Sequence, residues 1–371
     1  MKQKKLQKNY KSKEPLLYQI KPVFKKEIKD DLINYIKGDN WFTEFKFTKK
    51  FEEKFAKYTN SKYCICFPNG TLTMSSVLDC LKLNKGSEVL VSNYTMVATA
   101  NVAKFTGHKL KLVDISDKDL CMCPEDLMKK ISKKSKVVIF THMNGRIGQI
   151  DKIKKICRRK NIILIEDAAH AIGSFFKKKH VGNLGIAGSF SFSMPKLITM
   201  GQGGSVITNN SKLAKKLRLF KNFGRKIDGL DIHNYLGYNF KITDLQSILA
   251  TSQLQDIKKR INLKKKIFLR YFNKLKNNKK IKILKMKPKE TPWSVDIYAK
   301  NINKLKQKLK SQNILTRNVY PPLNSQKIYK KYKGLPVSNN YCKNGLWLPS
   351  SLDIKMSQID KISSIINKFY R

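Results

Sequence analysis

The hydrophobic rhythm of the chain changes twice, and each change marks a different kind of structure. Apolar residues first recur at helical spacing. Phe47, Phe51, Phe55 and Tyr58 fall on one helical face, and residues 24–36 and 47–58 read as amphipathic helices. From about Tyr63 the pattern becomes short apolar runs, YCICF, EVLV, KLKLV, KVVIF and NIILI, most of them separated by segments of helix length. Continuous apolar strands alternating with helices predict an α/β fold with a mostly parallel sheet covered on both faces. After Ile242 one long helical period runs through residues 245–276. The remainder mixes short strands (KIKIL, WSVDIYAK) with a helix (INKLKQKLKSQ), which reads as a smaller α+β unit. The expected organisation is a basic tail over residues 1–14, a large α/β domain over 15–255 and a small C-terminal domain over 256–371.

Composition narrows the function classes. The chain has 371 residues, 41% of them hydrophobic, enough for a substantial core. No apolar run reaches the roughly twenty residues that a membrane-crossing helix needs. The first residues are basic and lack the apolar core of a secretory signal, so the expected compartment is the cytosol. Seven cysteines, an odd number without a CxxC pair, point to reduced thiols. The pairs Cys64/Cys66 and Cys121/Cys123 have no histidine at zinc-ligand spacing, so no metal site is expected. The formal charge of +51 invites a nucleic-acid reading. Its lysines are spread along the whole chain, however, and no basic stretch is interleaved with stacking aromatics. The expectation is a solvated basic surface that helps to attract an anionic substrate, with no nucleic-acid partner.

Four stretches carry candidate chemistry, each at a turn or the end of an element, where open α/β sheets bind ligands. Asn69-Gly70-Thr71 follows a strand and opens a helix, which makes either an anion site or an ordinary helix cap. Asp167 leaves the end of the buried strand NIILI, with His170 three residues later. Facing a pyridine ring, Asp167 would hold the ring nitrogen protonated; it serves equally well as a magnesium ligand or a cap. Lys196 follows Ser189–Pro195 and precedes Gly201-Gln202-Gly203-Gly204. Shielded from water, its amine would have a lowered pKa and form a Schiff base. Ser191, five residues earlier, suits a phosphate, and the glycine run alone suits any tight turn. Gly237-Tyr238-Asn239-Phe240-Lys241 places an amide and a cation at the start of the long helix.

In this order the motifs PNGTLTM, EVLVSNYTMVATAN, THMNGRIGQIDKI, IEDAAHAIGS, SFSFSMPKLITMGQGGSVIT, LGYNFKITDLQ and GLWLPSS resemble the DegT-type family of pyridoxal-phosphate (PLP) sugar aminotransferases, from about Pro22 to Leu352. HMNGR, SMPK with GQGG, and GLWLPSS are similar to its perosamine-synthase branch, which aminates C4 of a nucleotide-linked 4-keto-6-deoxyhexose. The resemblance implies fold type I, a large sheet domain with a small C-terminal domain, and a homodimer with active sites at the interface. It implies PLP as cofactor, glutamate as amino donor and a product destined for surface polysaccharide. Lys196 would carry the cofactor as a Schiff base. Asp167 would pair with the ring nitrogen, and His170 would contact the ring. Gly70, Thr71 and Ser191 would hold the phosphate, with Asn239 reaching in from the other subunit. Tyr94, Lys241, Arg317 and Tyr320 are substrate candidates. Met96 stands where many members place an aromatic ring over the cofactor, with Tyr94 as a second possible cover; Asn324 stands where relatives often carry histidine. The alternatives within the fold are amination at C3, an aminocyclitol substrate, or a binding relative without turnover.

Overall fold

The computed structural model describes residues 16–38, 40–227 and 229–371, so the basic segment 1–14 lies outside the described residues. The first two helices form as their periodicity predicts, as α1 (Ile28–Lys37) and α2 (Lys46–Thr59). Phe51 and Phe55 are the buried stripe of α2. Their rings pack edge-on against Phe192 and Phe190, at 5.3 and 5.2 Å. Asn60 ends the helix in the left-handed conformation, at φ 53°, its N–H bonded back to Ala56 and Lys57 carbonyls.

A seven-stranded sheet follows. Its strands are β1 (Tyr63–Phe67), β2 (Glu88–Ser92), β3 (Lys109–Val113), β4 (Ser135–Thr141), β5 (Ile163–Asp167), β8 (Ala187–Ser191) and β9 (Gly204–Thr208). The chain between β5 and β8 makes a small hairpin of β6 (Phe175–Phe176) and β7 (Lys179–His180). The strand order is β1-β9-β8-β5-β4-β2-β3. Pairing is parallel from β3 through β8 and antiparallel at β9 and β1. Alternation along each strand sorts the core into two layers. Leu90, Val138 and Phe140 face one, while Val89, Val91, Val137 and Ile139 face the other. Helices α3 (Gly70–Cys80), α4 (Val97–Phe105), α5 (Pro124–Lys130), α6 (Ile150–Arg159) and α7 (Ser211–Lys221) alternate with the strands.

Strand β8 has no apolar run because backbone passes too close to it. A Cβ on Gly188 would stand 2.4 Å from Gly182 Cα, so only glycine fits. The long helical period is two helices, α8 (Asp244–Gln255) and α9 (Ile257–Leu275), interrupted at Asp256 (φ −97°, ψ 13°). Beyond them, β10 (Val295–Tyr298), β11 (Arg317–Asn318) and β12 (Gly345–Leu348) form a three-stranded antiparallel sheet with β12 central. The expected strand KIKIL supplies one bridge, Lys282 to Tyr298, and no strand. Helices α10 (Ile302–Lys310), α11 (Pro336–Lys343) and α12 (Met356–Phe369) complete the chain. A third core joins α9, α10, α12 and this sheet through Phe268, Tyr271, Ile297, Leu305, Leu346 and Ile362. Residues Leu17–Lys21 run against the same C-terminal part, with Leu17 bridging Ile314 and Lys21 N–H bonded to Ser351. No helix among the described residues is long and apolar enough to cross a membrane.

Candidate active site

The carboxylates at the end of β5 point to opposite faces and have different tasks. Glu166 is fully engaged: it accepts from His142 Nε2 (2.9 Å) and from the N–H groups of Gly182, Leu184 and Gly185. Burial opposes its charge, but these donors hold it below the usual carboxylate range. It is an anchor for the β7–β8 turn. Asp167 points out of the strand end. Its Oδ2 accepts from Thr99 Oγ1 at 2.7 Å, and Oδ1 from Ala169 N–H at 3.2 Å. Thr99 sits in the first turn of α4, and its hydroxyl is 3.1 Å from Thr95, itself 3.1 Å from Thr141. A row of hydroxyls thus fixes the orientation of the Asp167 carboxylate.

Lys196 and Tyr320 sense the charge of Asp167, and His170, Trp293 and Arg317 gather around these two. His170 is buried, and its ring lies flat on Trp293, 4.0 Å away with the planes 7° apart. Tyr320 stacks beyond it at 6.0 Å, its hydroxyl 3.5 Å from His170 Nε2. Burial, then the charges of Lys196 and Arg317, push the imidazole well below its ordinary pKa, so it is neutral. Lys196 Nζ lies 5.1 Å over the Trp293 ring. Burial lowers its amine to about 8, helped by Arg317 and opposed by Asp167. Trp293 also donates Nε1–H to the carbonyl of Pro195 at 2.8 Å, which fixes the backbone beside Lys196. The Trp293 carbonyl in turn accepts from the buried Lys264 Nζ at 2.8 Å.

The other end of the site is built from Gly70, Ser191 and Gly204. A Cβ on Gly70 would touch Ser191 Cβ at 3.0 Å, and one on Gly204 would stand 2.7 Å from the Asn69 carbonyl carbon. Here the glycines are required by close approach. The helix cap is also realised: Asn69 Oδ1 accepts from the N–H groups of Thr71 (3.0 Å) and Leu72 (2.9 Å). The remaining donors at this end are the exposed Thr71 and the Ser191 hydroxyl, which is 3.2 Å from Ser193 Oγ.

Other candidates stand differently from the reading of the sequence. Tyr94 is wholly buried, 0% exposed, with its hydroxyl 3.3 Å from Tyr298 Oη. It faces the core just past β2 and offers a ligand neither a cover nor a contact. Met96 is the open residue of that pair, 43% exposed, its Sδ 3.0 Å from the Ala98 N–H at the start of α4. Arg317 is exposed on β11, its guanidinium carbon 5.6 Å from the Tyr320 ring and 5.7 Å from Trp347. Asn239 is exposed in a segment bridged to Asn222, and Lys241 Nζ lies 3.2 Å from Asn222 Oδ1. Asn324 is a tie: it exchanges hydrogen bonds with Asn93 (3.0 and 2.9 Å) and donates to Tyr332 O. Sequence reasoning missed Thr99 and Trp293. A hydroxyl in the first turn after β2 was a usable signal for Thr99. Trp293 had none, because its partners lie about a hundred residues away.

These groups suit a phosphorylated aromatic aldehyde. The buried His170 Nδ1 has no hydrogen-bond partner among the described residues, an acceptor or donor held ready for a ligand. A weakly basic amine, a fixed carboxylate and a small-residue hydroxyl end complete the set.

Comparison with known proteins agrees. The profile of the DegT/DnrJ/EryC1/StrS aminotransferase family matches residues 22–367. GDP-perosamine synthase of Escherichia coli O157:H7 is 29% identical over 345 residues, covering 92% of this chain and 95% of its own length. GDP-perosamine synthase of Vibrio cholerae is 28% identical over 340 residues, covering 88% and 91%. Among solved structures, Helicobacter pylori PseC, an aminotransferase of pseudaminic acid biosynthesis, superposes with a TM-score of 0.91 at 22% identity, covering 96% and 99% of the two chains.

Proposed function

This chain belongs to the DegT/DnrJ/EryC1/StrS aminotransferase family, and from that premise we propose that it aminates C4 of a nucleotide-linked 4-keto-6-deoxyhexose, taking nitrogen from glutamate. It is a PLP-dependent transaminase. The observation that carries the reading is Lys196, an amine lowered to about 8 beside Asp167 and Trp293. The relatives named GDP-perosamine synthase support the substrate class.

Bound here, the cofactor would be held by Lys196, Asp167, Thr71 and Ser191 and would supply an aldehyde carbon and an electron-accepting ring. Asp167 would hold a proton on the ring nitrogen, and its own aim is fixed by Thr99. Lys196 Nζ, its pKa lowered to about 8, would carry the proton from the donor carbon to the cofactor carbon on the other side of the shared nitrogen. His170, kept neutral, carries no charge to compete with the ring proton. Thr71 and Ser191 hold the phosphate. Arg317, on the open side, attracts the substrate diphosphate. The product would feed synthesis of a surface polysaccharide from the cytosol.

The test is spectroscopic. The protein, supplied with PLP, should show a visible cofactor band that bleaches with glutamate and returns with one 4-keto-6-deoxy nucleotide sugar. A band that bleaches but returns only with a 3-keto sugar would move the reading to C3. No band at all would sink it.

We further propose a homodimer with Asn239 of the partner subunit at each site. Ile227, Leu230, Ile232, Tyr235, Leu236 and Tyr238 are exposed in one segment. Trp41, Phe42 and Phe45 are exposed beside Thr43, which bridges Thr243 just beyond that segment. So much apolar surface in one region suits an interface. Sedimentation should give twice the 42.9 kDa chain mass, and Ile232→Asp with Leu236→Asp should yield an inactive monomer. A fully active monomer would overturn the shared site.

A further inference from the structure

We propose that a cavity at the edge of the seven-stranded sheet is a second binding site, for a compact polyphosphate anion. The cavity measures about 580 Å³ and is lined by Lys104, Lys109, Lys111, Lys130, Lys331 and Lys333, with His108 and Tyr332 among them. It lies away from the catalytic end. Lys109 and Glu88 open the paired strands β3 and β2, whereas Asp167 closes β5, which runs parallel to them. The inference therefore does not depend on the catalytic reading.

Lysine on an edge strand commonly blocks further strand pairing, and β3 is an edge. That accounts for Lys109 and Lys111. It does not account for Lys104, Lys130, Lys331 and Lys333, which converge on the same cavity from α4, α5 and the loop before α11. Two carboxylates answer them. Glu88 accepts from Lys111 at 3.2 Å and also from Ser132 and Ser135, and Asp126 pairs with Lys130 at 3.0 Å. Lys104, Lys109, Lys331 and Lys333 have no carboxylate partner among the described residues. Each further ammonium around one cavity adds repulsion that a bound anion relieves. His108 Nδ1 is buried without a hydrogen-bond partner among the described residues. The Tyr332 ring, with Lys331 Nζ 5.5 Å from it, gives the wall an aromatic face. Several cations in so small a volume call for several negative charges close together, which a polyphosphate carries and a single carboxylate does not. Tyr332 also donates its hydroxyl to Leu110 O (2.6 Å) and accepts from Asn324. An occupant would thus brace the loop that begins beside Asn93.

The probe is inorganic tripolyphosphate, titrated calorimetrically into the full chain at fixed ionic strength. Saturable one-to-one binding is expected. Lys109→Glu/Lys331→Glu/Lys333→Glu, all exposed positions, should weaken it at least about tenfold. Lys155→Glu/Arg158→Glu/Arg159→Glu, the same charge change on α6, should alter it less than about twofold. Absence of saturable binding, or equal losses in the two variants, would show diffuse surface charge and overturn the site. If the charge-reversed chain fails to fold, Lys331→Gln/Lys333→Gln is compared with Lys155→Gln/Arg159→Gln by the same criterion.

Discussion

Lys196→Ala should remove both the visible cofactor band and at least about a thousandfold of turnover, while leaving the fold intact. The expected loss is large because the proposed reading gives one amine two tasks: it would anchor the cofactor and carry the proton between two carbons. Nothing nearby replaces it. His170, held well below its ordinary pKa by burial, is a weak base that forms no Schiff base, and it lies flat on Trp293. The fold should survive because Lys196 is only half-buried and sits on a loop whose backbone is fixed by the Trp293–Pro195 bond. A second readout needs no cofactor. Burial places the Lys196 amine at about 8. Deprotonation is therefore substantial by pH 8, whereas an ordinary lysine reacts appreciably only about two units higher. Reductive methylation of the cofactor-free protein, followed at the Lys196 peptide, should rise through a midpoint near 8. A midpoint near 10, or a Lys196→Ala protein that still turns over, would dismiss the assignment.

What was legible in the sequence follows a physical division. Parallel strands buried on both faces must be apolar throughout, so β2, β4 and β5 announced themselves. A carboxylate at the end of such a strand gains no apolar packing and needs polar partners, which made Asp167 visible; the same signal would have marked Glu166, whose partners prove to be structural. The short, close contacts were not legible. Strand β8 is built from Ala, Gly and Ser around Phe190, because Gly182 lies against it. Trp293 is a neighbour of His170 and Lys196 through a stacking distance and one N–H, both set by how β10 docks. Tyr94 shows the reverse case. Its place in the motif put it near the cofactor, but a strand end carries successive side chains to opposite faces, and the pattern does not say which face Tyr94 takes. The long helical period misled at Asp256, since two helices laid end to end keep the same spacing as one.

The docking of β10 leads to the second large effect, Asp296→Ala, which should cost about 3–5 kcal/mol of stability. Asp296 receives both arms of Arg146, Nη1 at 2.8 Å and Nη2 at 2.7 Å, and Arg146 is only 2% exposed. Asn144 Nδ2 and Tyr298 Oη also donate to the same carboxylate, each at 2.8 Å. Removing it strands a buried guanidinium and two further donors without their acceptor. The pair joins the turn after β4 to β10, and Asn144 Oδ1 also accepts the Ser294 N–H at 2.7 Å. Ser294 follows Trp293 directly, so the damage should reach the site: His170 loses its flat partner, and the Pro195 carbonyl loses its donor. Urea unfolding should therefore show a lower midpoint, and turnover should fall more than substrate affinity. Charge is the cause, so Arg146→Met with Asp296→Leu should recover part of the stability that Asp296→Ala loses. The geometry of Trp293 would still be disturbed, so turnover should remain low in the double variant. A single variant costing less than about 1 kcal/mol would mean that water reaches Arg146 and that the pair does not hold β10 in place.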